Sequence, residues 1–105
     1  MDRIELNHFL EEFELFCTNH INSNKAQSYK LALKYLCEFL DIRIMNQDSY
    51  DLIINTRNSL RYENSETYKK CLEFLSRRRQ RSYLEKGFIN AAISQLILYE
   101  QSINL

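Results

Sequence analysis

Apolar residues recur at helical spacing along almost the whole chain. Leu6, Phe9, Leu10, Phe13, Phe16 and Cys17 advance in steps of three and four, which marks one face of a helix from about Ile4 to Asn19. Glu5, Glu11, Glu12 and Glu14 occupy much of the remainder, and Asp2 is the expected N-cap. Asn22-Ser23-Asn24 closes the connection and caps a second helix, about Lys25 to Leu40. Its face is Tyr29, Ala32, Leu33, Leu36, Cys37 and Leu40, widened by Phe39. Asp41 to Gln47 reads as a connection whose Ile42, Ile44 and Met45 dock on the core. A third helix, about Asp48 to Arg61, is capped by Asp48 or Ser49 and carries the stripe Leu52, Ile53, Thr56 and Leu60. Asn64-Ser65 caps a fourth, about Glu66 to Arg78, with Tyr68, Cys71, Leu72 and Leu75 inward. A fifth runs from Phe88, or earlier from Ser82, to about Gln101, with Phe88, Ala91, Ala92, Leu96 and Tyr99 as its face.

Composition supports the same picture. The 105 residues include no proline and one glycine, too few for the tight turns an all-β domain needs. The expected fold is all-α, a compact bundle of about five short helices forming one domain over residues 1–105. Ala32, Cys71, Ala91 and Ala92 are points where helices can approach closely while larger residues interdigitate around them. Tyr29 to Leu36 and Tyr68 to Leu75 share the pattern Tyr-Lys-x-small-Leu-x-aromatic-Leu, read as two helices with similar core faces because a solenoid needs at least three repeats. The start at Met1 and the plain ending at Leu105 fit the N-terminal domain of a longer protein as well as a complete small one.

No apolar run reaches the roughly 20 residues that span a bilayer, so no membrane is expected. The acidic start Met1-Asp2-Arg3-Ile4-Glu5 lacks a signal-peptide core. Cys17, Cys37 and Cys71 are an odd set lying among apolar residues, which points to buried free thiols and a cytoplasmic setting.

Charge changes the picture most. The chain is neutral overall, with 14 Lys+Arg against 14 Asp+Glu. Yet residues 69–86 hold seven basic residues, Lys69, Lys70, Arg77, Arg78, Arg79, Arg81 and Lys86, against the two acids Glu73 and Glu85. Self-repulsion disfavours such a cluster unless something compensates it: a polyanion, an acidic protein partner, or acids of the chain itself. Arginine suits phosphate because its planar fork binds bidentately. Ser82 and Tyr83, at the start of the last helical region, are candidates to position a strand. Lys69, Lys70 and Lys86 extend the patch if the last two helices pack as antiparallel neighbours, and Lys25, Lys30 and Lys34 are candidates to continue it. Against this, basic residues at a helix C-terminus also serve the helix dipole, and the acidic first helix offers internal partners.

No catalytic constellation accompanies the cluster. His8 and His20 both belong to the first helix, and His20 reads as a C-terminal residue favoured by the dipole rather than a base. Cys17 and His20 are three apart, but a structural zinc needs four ligands. Glu11, Glu12 and Glu14 read as a solvated face. Gly87 alone makes no phosphate-cradling loop. Neither an enzyme, a metal nor another cofactor is expected within these residues.

Two segments carry a resemblance to a known family: Ser28-Tyr29-Lys30-Leu31-Ala32-Leu33-Lys34-Tyr35-Leu36 through Leu40, and Ser82-Tyr83-Leu84-Glu85-Lys86-Gly87-Phe88-Ile89 through Ala92. Together with the order of helices they resemble the N-terminal helical domain of HNH-type bacterial restriction endonucleases, itself similar to the core-binding domain of tyrosine recombinases. The resemblance implies a DNA-binding or target-positioning module in bacterial defence, whose nuclease would lie beyond Leu105. The expected contacts are Arg77, Arg78, Arg79 and Arg81 on backbone phosphates, with Lys69, Lys70 and Lys86 at the edges and Ser82 and Tyr83 placing the strand. The other reading is a small protein-interaction module, such as a phage- or virus-encoded inhibitor or a subunit of a defence complex.

Overall fold

A computed structural model of the protein describes residues 2–103. Met1, Asn104 and Leu105, which belong to the two chain ends considered above, lie outside the described residues. The element order is β1 (Ile4–Glu5), α1 (Leu6–His20), α2 (Ser23–Phe39), β2 (Ile44–Met45), α3 (Gln47–Arg57), a 3-10 turn (Ser59–Arg61), α4 (Glu66–Arg77), α5 (Ser82–Glu85) and α6 (Phe88–Ile103). The fold is the expected all-α bundle, with a radius of gyration of 13.0 Å. Five of its helices are long and α5 is a single turn.

The first helix starts later than its apolar periodicity predicts, because the chain is first used as a strand. Ile4 and Glu5 pair antiparallel with Met45 and Ile44. The cap is therefore Glu5 rather than Asp2: its carboxylate accepts the Asn7 and His8 backbone N–H groups at 3.0 and 2.9 Å. Those two donors hold the Glu5 carboxyl below the ordinary glutamate range. Asn22 caps α2 by accepting from the Lys25 N–H at 2.8 Å. Asn46, rather than Asp48 or Ser49, caps α3 by accepting from the Ser49 N–H at 2.9 Å. Ser49 instead ties the helix back to β2, its hydroxyl donating to the Ile44 carbonyl at 2.7 Å. Ser65 caps α4 through the Tyr68 N–H at 3.0 Å.

Two helices end in the same way without glycine. After α2, the Asp41 N–H bonds the Glu38 carbonyl and the Ile42 N–H bonds the Cys37 carbonyl. After α4, the Arg79 N–H bonds the Ser76 carbonyl and the Gln80 N–H bonds the Leu75 carbonyl. Both are Schellman closures, in which the residue just past the cap is left-handed. Asp41 has φ 56° and Arg79 φ 58°. Gly87, with φ 81°, turns the chain from α5 into α6.

Helix α2 is the centre of the bundle, packing against α1, α4 and α6. Ala32, Leu33, Leu36 and Cys37 are fully buried on it. They meet Phe9, Leu10, Phe13 and Cys17 of α1, Cys71 and Leu75 of α4, and Ile89, Ala92, Ile93 and Leu96 of α6 in one core. Ile42 and Met45 dock on that core as the sequence predicts, and Ile44 is half-buried. On α6 the inward face is rotated by about one position from the predicted stripe. Phe88, Ala91 and Tyr99 are half-buried, while Ile89 and Ile93 are buried. Asn90, Ser94 and Gln101 share the side opposite the buried one, and the apolar arc facing them is wide enough to include both Phe88 and Ile89. Tyr99 uses the second face, its ring lying 5.6, 6.2 and 5.2 Å from the rings of Phe9, Phe13 and Phe16. Leu52, predicted inward on α3, is exposed; Ile53 and, on the 3-10 turn, Leu60 carry that part of the core.

The three cysteines are free and buried. Burial pushes their thiols up, to about 11 for Cys17 and about 12 for Cys37 and Cys71. The reactive thiolate is therefore scarce at neutral pH. An exposed-thiol reagent at neutral pH is expected to label none of them in the native protein and all three in denaturant. Rapid labelling of the folded chain would contradict this packing. Among the described residues no helix is long and apolar enough to cross a membrane.

Candidate functional site

The basic cluster lies where α4 ends and α5 begins, and the chain's own carboxylates enter it. Arg77, on the exposed side of α4, pairs with Glu73 one turn back. Arg78 turns the other way, pairing with Glu38 of α2 and standing 4.3 Å above the Phe74 ring. Phe74 in turn packs against Phe39 at 5.6 Å. Arg78 is thus a clamp between α2 and α4 as well as a surface cation. Arg81 donates two parallel hydrogen bonds to Glu85, at 2.8 and 3.0 Å. The same pair holds the Glu85 carboxyl below its usual range. The three ion pairs run to three different elements, so the arginines fan out from the closure rather than form one row.

Arg79 has no ion-pair partner among the described residues, and neither do Lys69, Lys70 or Lys86. All four are exposed. Lys69 and Lys70 lie on the outer side of α4, away from Tyr68, Cys71 and Leu75. The condition on which they were to join Lys86 is not met as stated: α4 packs on α2 and the 3-10 turn, while the long last helix packs on α2, α5, α1 and α3.

Ser82 opens α5 and is exposed. Tyr83 has a structural task, its half-buried ring meeting Tyr35 edge-on at 5.0 Å and Phe88 at 5.9 Å. The Gln80 backbone N–H bonds the Leu75 carbonyl, so the segment between the arginines is tied back to α4.

The α2 lysines separate. Lys30 is taken up by Glu14 of the acidic first helix at 3.2 Å. Lys34 instead lines an open groove of about 560 Å³ with Glu5, Asn7, Glu38, Asp41, Arg43 and Arg78. Lys25 sits in the first turn of α2, at its other end. The groove carries both signs of charge, and sequence reasoning missed it. The contact between Glu38 and Arg78 bridges 40 residues, a separation across which local spacing carries no signal. Among the described residues no group of three His, Cys, Asp or Glu side chains is placed to hold a metal ion.

No protein-family model, curated protein or solved structure matches the chain.

Proposed function

We propose that this chain is a non-catalytic, cytoplasmic DNA-binding module that contacts backbone phosphates from the surface around the end of α4. The observation that supports it most is the set of exposed cations, Arg79, Lys69, Lys70 and Lys86, that have no carboxylate partner among the described residues. Arg77 and Arg81 join them readily. Their partners are on the surface, and exposed ion pairs are worth only about 0–1 kcal/mol, so a phosphate can replace a glutamate at little cost. Arg78 contributes charge while holding α2 to α4. Ser82 and Tyr83 stand at the edge, Ser82 as a hydroxyl donor and Tyr83 as the support beneath it. Contacts of this kind position a duplex without reading its sequence. The likeness of the Ser28–Leu40 and Ser82–Ala92 segments to the helical domain of HNH-type restriction endonucleases gives the reading its biological setting, a positioning module in bacterial defence.

The mixed-sign groove beside Lys34 and Arg78 favours a second reading, a protein-interaction module such as an inhibitor or a subunit of a defence complex. A groove holding Glu5, Glu38 and Asp41 beside Lys34, Arg43 and Arg78 suits a protein surface better than a polyanion. A gel shift with a short labelled DNA duplex at 50 mM salt separates the two. The DNA reading expects a retarded band that fades as salt rises to 200 mM. An unshifted duplex, together with recovery of a stoichiometric protein on affinity purification, would select the second.

A further inference from the structure

We infer that Arg79 is the anchor of the basic surface, held in a left-handed conformation at a cost in stability so that one arginine is presented free of any carboxylate. The inference rests on the phosphate-contact reading above and names the residue that leads the contact. Arg79 occupies the position of a Schellman closure that glycine usually fills. A left-handed L-residue brings its Cβ against the following carbonyl, and glycine escapes that crowding. The equivalent position after α2 is Asp41, whose short polar side chain tolerates this region. Arginine has no such accommodation, and helix closure alone gives no reason for it at this point.

The surroundings fit a presenting role. Arg78 on one side is fixed by Glu38 and the Phe74 ring. Gln80 on the other is fixed by its N–H on the Leu75 carbonyl at 2.8 Å. The backbone that carries Arg79 is thus held at both neighbours while its side chain is exposed. Arg77, Arg78 and Arg81 each share their guanidinium with a glutamate, whose charge opposes an incoming phosphate. Arg79 has no such partner among the described residues, so the first bidentate contact with a phosphodiester falls to it. Unpartnered strain of this kind is characteristic of sites where a conformation serves binding.

The test compares the full chain with Arg79→Gly, Arg79→Lys and Arg77→Gln. Two quantities are read: the thermal midpoint, and the affinity for a short fluorescein-labelled DNA duplex at 50 mM salt. Arg79→Gly is expected to melt about 4 °C higher and to bind about tenfold more weakly. Arg79→Lys, which keeps both the strain and the charge, should melt like the wild type and lose less affinity. Arg77→Gln should lose under about threefold, because Glu73 beside it already offsets part of its charge. A duplex bound equally by the wild type and Arg79→Gly would overturn the anchor and leave the DNA reading standing. A wild-type chain that binds no duplex would overturn both. An Arg79→Gly protein no more stable than the wild type would overturn the claim of strain.

Discussion

Replacing Phe13 by alanine is expected to cost about 3–5 kcal/mol of folding stability. Phe13 is fully buried, on the face of α1 that meets both α2 and α6. Its ring lies edge-on to Tyr99 at 6.2 Å, with Phe9 also against Tyr99. The deletion therefore removes the apolar area of the ring and leaves a cavity between three helices that are already held by close contacts. A domain of this size has about 5–15 kcal/mol in total, so the variant would lose about a fifth of it or more. Leu15 provides the control. It lies on the same helix but is 57% exposed, and Leu15→Ala should change stability by no more than about 0.5 kcal/mol. Urea unfolding followed by circular dichroism measures both. Similar losses for the two variants would mean that α1 presents a different face to the bundle.

The second large effect is electrostatic. Neutralising Arg77, Arg79 and Arg81 together as glutamines should weaken duplex binding about 100-fold at 50 mM salt, on the basis of charged hydrogen bonds worth about 1.5–3 kcal/mol each, offset by the glutamates that two of them already hold. Arg78 is left in place deliberately. It stacks on Phe74 and pairs with Glu38, so its removal would confound lost binding with a loosened contact between α2 and α4. The three chosen arginines hold no contact between distant elements: Arg77 and Arg81 pair only within one turn, at i and i+4. Their loss should leave the helical signal unchanged.

Much of the fold is legible in the residues, and the exceptions have physical causes. The stripes of α1, α2 and α4 are amphipathic, so spacing finds both the helix and its buried side. The last helix has a wide apolar arc, and its phase is set by the polar residues Asn90, Ser94 and Gln101 on the opposite side, which an apolar stripe alone leaves out. Helix starts fail where tertiary pairing takes precedence: Ile4 and Glu5 leave the helical pattern because Ile44 and Met45 offer backbone partners. The cluster itself is plain in the sequence as seven cations in 18 positions. Its internal structure is not. Glu73 and Glu85 are at i, i+4 distances from their arginines and could have been paired by spacing. Glu38 reaches Arg78 only because α2 packs on α4. The left-handed turn at Arg79 is hidden for the opposite reason, since a sequence reader looks for glycine there and finds none.

The most direct test of phosphate contact is the salt dependence of duplex affinity for the wild type and the Arg77→Gln, Arg79→Gln, Arg81→Gln variant between 50 and 200 mM. Each phosphate neutralised contributes about 0.9 to the slope of log affinity against log salt. The wild type should therefore fall more steeply than the variant by about 2.7, or roughly 40-fold more across that range. Parallel lines for the two proteins would show that these arginines do not meet phosphate and would contradict the account.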